Sequence, residues 1–436
     1  MKRGLLIAFA LFAVVAVIAA GSRPSIDEVP VTERKSPGGV AYALLQLHYQ
    51  DTVAIAIAFE CGVACDSKAL SAAQYAPVIA ARGGAAGMSP SETIEALKDF
   101  GVELNFTPNS DQTYLSLAAP DKGIDGAVTL VNKIITKPNL PDAAIARLGV
   151  QVAGMRAEQN NNMESKAFDA FVKAGMDAPA YDQYFRPEPG EFRNLKHDDM
   201  QKWLDAHLHR KGIFVAVTGN ITQARAGELV DKLLVGIPDV GLEITFPPVS
   251  FKSQDGAAIT VQGDGGQQAE INFGSISARP KTLQEWLQGE MLTNIFASGM
   301  KSRLFTDIRI KLGATYGLMV DYNFFEDFSM NRVRGRVATD KLDAALAQLR
   351  ASWKQFSEDG PTDAEIADAK GTELAALATK LRDHLTAAEA IRDDLTGHWT
   401  TQDIAQMVAM IKSADLRDKA LLKKLFPPNP IIVVVK

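Results

Sequence analysis

The chain has 436 residues, so a single ordinary hydrophobic core cannot account for its length and two or more domains are expected. Hydrophobic residues make up 47% of the sequence and charged residues 22%, which is ordinary for a folded soluble protein and excludes a disordered chain. The formal net charge is only −6 and no basic stripe is present, which argues against nucleic acid as a partner.

The first residues match the pattern of a secretory signal peptide. Lys2 and Arg3 form a positively charged start, Leu5–Ile18 is an apolar run, and small residues follow over 19–22. This pattern predicts a signal peptide over residues 1–21. The alternative is an uncleaved anchor, because an apolar run of about 17 residues can just span a bilayer. A cleaved signal predicts a chain secreted across the inner membrane, periplasmic if the source is Gram-negative, with no membrane association afterwards.

The two cysteines, Cys61 and Cys65, allow two interpretations. Their spacing is not that of a zinc knuckle or of a Cys-x-x-Cys redox motif. In an oxidising compartment they could close a small disulfide across a turn. They could equally be two buried small apolar residues. Neither interpretation makes them catalytic.

Two segments of the chain repeat the same order of predicted elements. Leu97–Leu104 ends a helix at Gly101 and begins a strand, and Arg309–Tyr316 does the same at Gly313. Strands are predicted from apolar alternation at Val102–Thr107, Gln112–Ala118 and Ile213–Val217, and again at Thr315–Tyr322, Ser329–Val337 and Ile431–Val435. A match over so many elements predicts a duplicated domain.

The strand pairs predict the fold class and the division of the chain. Strands occur in adjacent pairs with helices before and after, which favours an α+β fold whose mixed or antiparallel sheets are covered by helices. Residues 30–235 and 257–436 are predicted to form two homologous domains. The intervening residues 236–256 are rich in Pro, Gly and Ser and predict a linker.

Local signals predict several helices. Ser or Thr stands three residues before Glu, the spacing of a capping box, at Ser89, Thr282 and Thr362. Apolar residues from Leu342 to Trp353 recur at helical spacing, which predicts an amphipathic helix after the second hairpin.

The glycine-rich run Gly263–Gly266 lacks the Lys-Ser/Thr pair of a phosphate-binding loop. We predict instead that it is a hairpin turn between Ile259–Gln262 and Ala269–Phe273. The sequence also lacks a Gly-x-Ser-x-Gly nucleophile motif, so no other common catalytic arrangement is recognised.

Residues 298–317 carry a family resemblance. A Gly/Ser-rich turn, then Ser-Arg-Leu-Phe, then an Arg seven residues before a Tyr resembles the C-terminal signature of M16 (pitrilysin/insulinase-like) peptidases. The resemblance implies that Arg309 and Tyr316 are catalytic and bind the peptide substrate, and that Ser302 and Arg303 contribute to binding. An Arg fork and a Tyr hydroxyl can donate to backbone carbonyls whatever the peptide sequence. Arg309 is expected in the last turn of a helix, and Tyr316 on the following strand.

A structural role is the alternative for Arg309 and Tyr316. Arg near a helix C-terminus is favoured by the helix dipole, and a strand Tyr usually packs. The corresponding first-half residues are Leu97 and Leu104. A packing role alone would not require polar residues in one copy only, which favours the functional interpretation.

The zinc motif of active M16 members is missing. That motif, His-x-x-Glu-His, brings two imidazoles and a Glu to one helix face. The corresponding residues 71–84 contain no His, Glu, Asp or Cys. The motif positions fall on Tyr75, Val78 and Ile79, or one register earlier on Gln74, Pro77 and Val78. A further ligand position falls near Arg156, whose charge would repel a cation, so the resemblance implies no metal and no cofactor in this chain.

The histidines are not expected to replace that site. His207 and His209 lie two apart on a predicted helix and would face different directions. We interpret all six as surface or packing residues: His48, His197, His207, His209, His384 and His398.

Two hypotheses on function follow from the resemblance. The first is a substrate-binding subunit of a heterodimeric periplasmic M16 metallopeptidase, inactive alone, whose zinc-bearing sister subunit supplies the metal for peptide hydrolysis. The second is a non-catalytic M16-like scaffold or peptide-binding protein. Arg309 and Tyr316 discriminate between them, because a scaffold has no need of such a pair.

Overall fold

The computed structural model describes residues 26–159, 161–185, 192–193, 195–241, 244, 246 and 248–436. The predicted signal peptide, residues 1–21, lies outside these ranges. Within them, no helix is both long enough and apolar enough to cross a membrane.

The strands and helices alternate in two similar series. The strands are β1 Val31–Lys35, β2 Ala41–Gln46, β3 Thr52–Phe59, β4 Glu103–Pro108, β5 Thr113–Pro120, β6 Met176–Asp177, β7 Phe214–Gly219, β8 Ser250–Phe251, β9 Ala258–Val261, β10 Gln268–Ala278, β11 Met319–Phe324, β12 Phe328–Ala338 and β13 Ile431–Val435. The α-helices are α1 Leu70–Gly83, α2 Pro90–Asp99, α3 Ile124–Thr136, α4 Asp142–Gln159, α5 Met163–Gly175, α6 Pro179–Phe185, α7 His197–His207, α8 Gln223–Leu234, α9 Leu283–Ala297, α10 Leu342–Asp359, α11 Asp363–Lys380, α12 His384–Thr396, α13 Thr401–Ala405, α14 Met407–Ser413 and α15 Lys419–Leu425. Phe305–Lys311 is π-helical, and Ala64–Ala69 and Thr339–Lys341 are 3₁₀-helical.

The two main sheets have the same topology. The first has the order β1-β2-β7-β3-β5-β4 and the second β9-β13-β10-β12-β11. Each contains one parallel pair at the same place, β2 with β7 and β9 with β13, and its other pairs are antiparallel. The first sheet differs by the additional edge strand β1. The predicted α+β fold with a duplicated, mixed sheet is therefore confirmed.

Each half also contributes one helix to the sheet of the other half. Helix α5 packs on β10 and β13 of the second sheet, where Phe171 shares a core with Met330 and Val433. Helix α12 packs on β3 and β7 of the first sheet, where Ala388 lies against Ala54 and Ala56. The exchange ties the two halves together through apolar contacts. The predicted boundaries at 235 and 257 stay a prediction, and within the predicted linker β8 pairs with β6.

Local sequence signals set several helix ends. Ser89 and Thr362 each form the predicted capping box with the Glu three residues later. Thr282 also caps its helix, but the Glu285 carboxylate accepts from the backbone N–H of Lys281. The predicted amphipathic helix is α10, with Leu342, Ala345, Leu349 and Trp353 buried on one side.

The predicted hairpin around Gly263–Gly266 is wrong. Strand β13 lies between β9 and β10 and pairs with both. All five residues of β13 are buried, and its β-branched side chains favour the centre of a sheet over an edge. A strand from the far end of the chain therefore separates two strands that are neighbours in sequence.

Candidate functional site

A Tyr–Arg pair occupies the positions where the resemblance implies a metal. Helix α1 follows β3 and carries Tyr75, and Arg156 lies near the end of α4. Their side chains lie close enough for the Arg156 charge to act on the Tyr75 phenol. Burial raises the pKa of the Tyr75 phenol, and the neighbouring Arg156 charge opposes that rise. The phenol stays neutral at pH 7 and lies beside a cation.

The residues around this pair do not fit a zinc ion. The Tyr75 ring packs edge-on against Phe192 with a centroid distance of 5.3 Å. On the adjoining face of α1, Gln74 is buried and its side-chain oxygen has no hydrogen-bond partner among the described residues. A half-buried guanidinium repels a divalent cation, and an isolated amide oxygen is a poor zinc ligand. The Tyr75–Arg156 contact also favours the motif register that begins at Tyr75 over the one that begins at Gln74.

Arg309 lies where the sequence predicts, in the last turn of the π-helix Phe305–Lys311. Gly313 ends the helix with φ 57°, a left-handed conformation that glycine adopts without steric cost, and its N–H donates to the Arg309 carbonyl at 3.1 Å. The chain then turns back, so that Arg309 Nη1 donates to the backbone carbonyl of Tyr316. The Arg309 guanidinium also lies over the Phe305 ring, 5.1 Å from its centroid.

Tyr316 does not lie on the following strand, so that prediction is wrong. It precedes β11, which begins at Met319, and its side chain is 85% exposed. The reason is local: Thr315 Oγ1 donates to the Arg336 carbonyl at 2.6 Å and accepts from the Gly317 N–H at 3.1 Å. These bonds fix a loop beside β12 and delay the start of the strand. Arg309 therefore contacts the backbone of Tyr316, and the phenol faces solvent.

Ser302 and Arg303 are used by the protein itself. Ser302 is 2% exposed; its hydroxyl donates to the Gly299 carbonyl at 2.9 Å and accepts from the Phe305 N–H. Arg303 makes two hydrogen bonds of 2.8 Å to the Glu365 carboxylate and a third to the Gly360 carbonyl. Their predicted part in substrate binding stays a prediction, and these contacts give both a structural role.

Cys61 and Cys65 form a disulfide, which decides between their two interpretations. Both histidines near the end of α7 are buried, but His209 lies beyond the helix and not on it as predicted. His207 Nε2 lies 3.2 Å from Asp66 Oδ2. Sequence reasoning missed the proximity of His207 to Asp66, because no local spacing links residues 61–66 to residue 207. The Tyr75–Arg156 contact was also missed, although both positions were singled out.

Comparisons with known proteins give similarities to M16 peptidases and their inactive relatives. A family model described as the peptidase M16 inactive domain matches residues 194–372. A protein of Rickettsia bellii strain RML369-C named "Uncharacterized zinc protease" is 20% identical over 342 residues, which covers 74% of this chain and 77% of that protein. The "Non-peptidase homolog YmxG" of Helicobacter pylori strain 26695 is 20% identical over 287 residues, 63% of each chain.

A solved structure agrees with these matches. The crystal structure of a peptidase M16 inactive domain from Pseudomonas fluorescens superposes with a TM-score of 0.83 at 15% identity, covering 93% of this chain and 97% of that one. These matches support an M16-like family member. The matches to an inactive domain and to a non-peptidase homologue support a non-catalytic M16-like protein and agree with a lack of zinc in this chain.

Proposed function

We propose that this chain is the substrate-binding, zinc-free subunit of a heterodimeric M16 peptidase, secreted and periplasmic in a Gram-negative cell. A zinc-bearing M16 sister chain would be its partner, and peptides would be the substrate. One observation carries the proposal: Arg309 is held against the Tyr316 backbone at the surface, while residues 71–84 offer no zinc-binding side chain.

Arg309 keeps most of its donors for a ligand. A guanidinium has five N–H donors, and the Tyr316 carbonyl takes one of them. The Tyr316 side chain, whose hydroxyl is a further donor, is exposed on the same loop. Together they can bind carbonyl oxygens of an extended peptide, a form of recognition that is independent of side-chain sequence.

The exposure of this loop explains why a partner would be needed. Tyr316 is 85% exposed, and a fully hydrated donor does little to stabilise a developing charge. Ile310 and Met319 beside it are 64% and 54% exposed. A partner that covers these apolar side chains would remove water from the loop and strengthen its hydrogen bonds to a peptide.

Mixing the chain with a zinc-bearing M16 chain from the same organism tests the proposal. Cleavage of a quenched fluorescent peptide is expected only in the mixture, with a maximum at equal molar amounts. Cleavage by the zinc chain alone at the same rate would contradict the proposal.

A scaffold or peptide-binding protein is the second candidate, favoured by the match to a non-peptidase homologue. It predicts peptide binding or partner binding without any gain in cleavage on mixing. The same titration therefore separates the two candidates.

A further inference from the structure

A second group of metal-binding residue types lies away from the Arg309 loop. Cys61 and Cys65 lie between β3 and α1, and His207 ends α7. The two sulfur atoms and one ring nitrogen of His207 all lie within 4.8 Å of one another. Among the described residues this is the one such group of three or more His, Cys, Asp or Glu side chains.

His207 has the environment of a metal-binding histidine. It is 5% exposed, and its Nε2 lies 3.2 Å from Asp66 Oδ2. Its other nitrogen, Nδ1, is buried with no hydrogen-bond partner among the described residues. A carboxylate on one ring nitrogen and a vacant second nitrogen is the arrangement that orients a histidine toward a metal. The Trp203 ring packs against the His207 imidazole, with 5.0 Å between the two ring centroids.

We propose that Cys61, Cys65 and His207 form a site for a thiophilic divalent metal ion of the zinc class, which opens when the disulfide is reduced. Metal–sulfur bonds of about 2.3 Å and metal–nitrogen bonds of about 2.1 Å place tetrahedral ligand atoms roughly 3.5 to 4 Å apart. The His207 nitrogen already lies within 4.8 Å of both sulfur atoms, and the two sulfur atoms, bonded to each other in the disulfide, have to separate to this spacing after reduction. Two thiolates and an imidazole suit zinc-class ions, with water at the fourth position.

A dithiol reductant opens the site by thiol–disulfide exchange. One of its thiolates attacks Sγ of the partly exposed Cys65, the S–S bond breaks, and Cys61 leaves as a thiolate. The second thiol then displaces Cys65, so the two cysteines gain two electrons and the reductant leaves as a cyclic disulfide. The metal ion replaces the thiol protons and releases them to solvent. The oxidised chain has no thiolate and cannot hold the ion in this way.

Cobalt titration of the full mature chain tests the proposal. The protein is reduced anaerobically with a dithiol, freed of reductant and titrated with Co²⁺, then with Zn²⁺. We expect a thiolate-to-cobalt charge-transfer band that saturates at one equivalent and is lost when Zn²⁺ displaces Co²⁺. The oxidised protein and the Cys61→Ser/Cys65→Ser variant should show no band.

Variants of His207 and of its carboxylate partner Asp66 separate a built site from incidental thiol binding. His207→Gln is expected to weaken Co²⁺ binding at least tenfold, and Asp66→Asn by about 10- to 100-fold. His48→Gln, which removes an exposed histidine, should have no effect. Circular dichroism checks that each variant is folded. If His207→Gln does not fold, the Co²⁺ affinity of Asp66→Asn alone tests the site. No band in the reduced wild type, or unchanged affinity in the folded Asp66→Asn variant, would overturn the proposal.

Discussion

The guanidinium of Arg156 lies beside the phenol of Tyr75, at the two positions where the resemblance to M16 peptidases implies zinc ligands. This contact connects α1 with the end of α4 and puts a positive charge where a cation would bind. A cation at these positions would therefore meet a positive charge in addition to the missing ligands.

A graft of the zinc motif tests this interpretation. Tyr75→His, Val78→Glu and Ile79→His together with Arg156→Glu should give a chain that binds one zinc ion, measured by competition titration on oxidised protein. With Arg156 retained, affinity should fall at least tenfold because the guanidinium repels the ion. The matched control places the same motif one register earlier, at Gln74, Pro77 and Val78. Tighter zinc binding by this control would contradict the assigned register.

The Arg309 loop can be tested in the mixed enzyme. Tyr316→Phe and Arg309→Ala should each lower kcat by about 100-fold, since loss of a donor to a developing charge costs a few kcal/mol. Lys311→Ala is the control, because Lys311 lies on the same helix as Arg309 and pairs with Asp307 in its own helical turn. Steady-state kinetics on a quenched peptide provide the measurement. Wild-type kcat in both variants would favour the scaffold.

Arg303 allows its structural and substrate-binding roles to be separated. Its pairing with Glu365, together with bonds from Thr362, overcomes the effect of burial and lowers the pKa of that carboxyl to about 2. Arg303→Ala leaves a partly buried carboxylate without its cation and should lower the free energy of unfolding by about 2 kcal/mol. Lys301→Ala removes an exposed ion pair with Asp368 and should cost less than about 1 kcal/mol. Denaturant unfolding checks both, and a loss of peptide affinity without loss of stability in Arg303→Ala would contradict the structural role.

The duplicated fold could be predicted because its signals are local and repeated. Helix caps such as Ser89 and Thr362, the helix-ending Gly313 and the apolar strand at Ile431–Val435 all lie where the sequence indicates. The pairing of strands and helices from distant parts of the chain could not be predicted. The place of β13 between β9 and β10, and the exchange of α5 and α12, depend on contacts that no short window contains.

The candidate site shows the same limit. Arg309 was placed correctly because a helix end follows from a glycine and an apolar period. Tyr316 was misplaced because Thr315 binds the backbone of Arg336, which is distant in sequence. The link between His207 and Asp66 likewise spans the first half of the chain.

We expect the free energy of unfolding to depend on pH because of the buried carboxyl of Asp111. It lies in the turn between β4 and β5, 4% exposed, and its Oδ1 accepts from the Tyr181 hydroxyl at 2.5 Å. Burial raises the pKa of Asp111 to about 6, against the lowering effect of the bonds from Tyr181 and Ser110. A raised folded-state pKa favours the folded protein below the unfolded pKa, and that stability is lost as the pH rises through about 6. The loss is up to about 3 kcal/mol between pH 4 and pH 7.

Asp111→Asn should flatten this dependence, because the amide cannot ionise. Its free energy of unfolding, measured with urea between pH 4 and pH 7.5, should vary less with pH than that of the wild type. Asp99→Asn removes an exposed carboxylate and serves as the control. An equal slope in the wild type and Asp111→Asn would show that Asp111 does not titrate in this range.

The zinc content of the single purified chain tests the division of chemistry between two subunits most directly. Mass spectrometry of the metals in the Cys61→Ser/Cys65→Ser protein excludes any contribution from the thiols. We expect far less than one zinc ion per chain after dialysis against micromolar zinc. One tightly held ion per chain would contradict it.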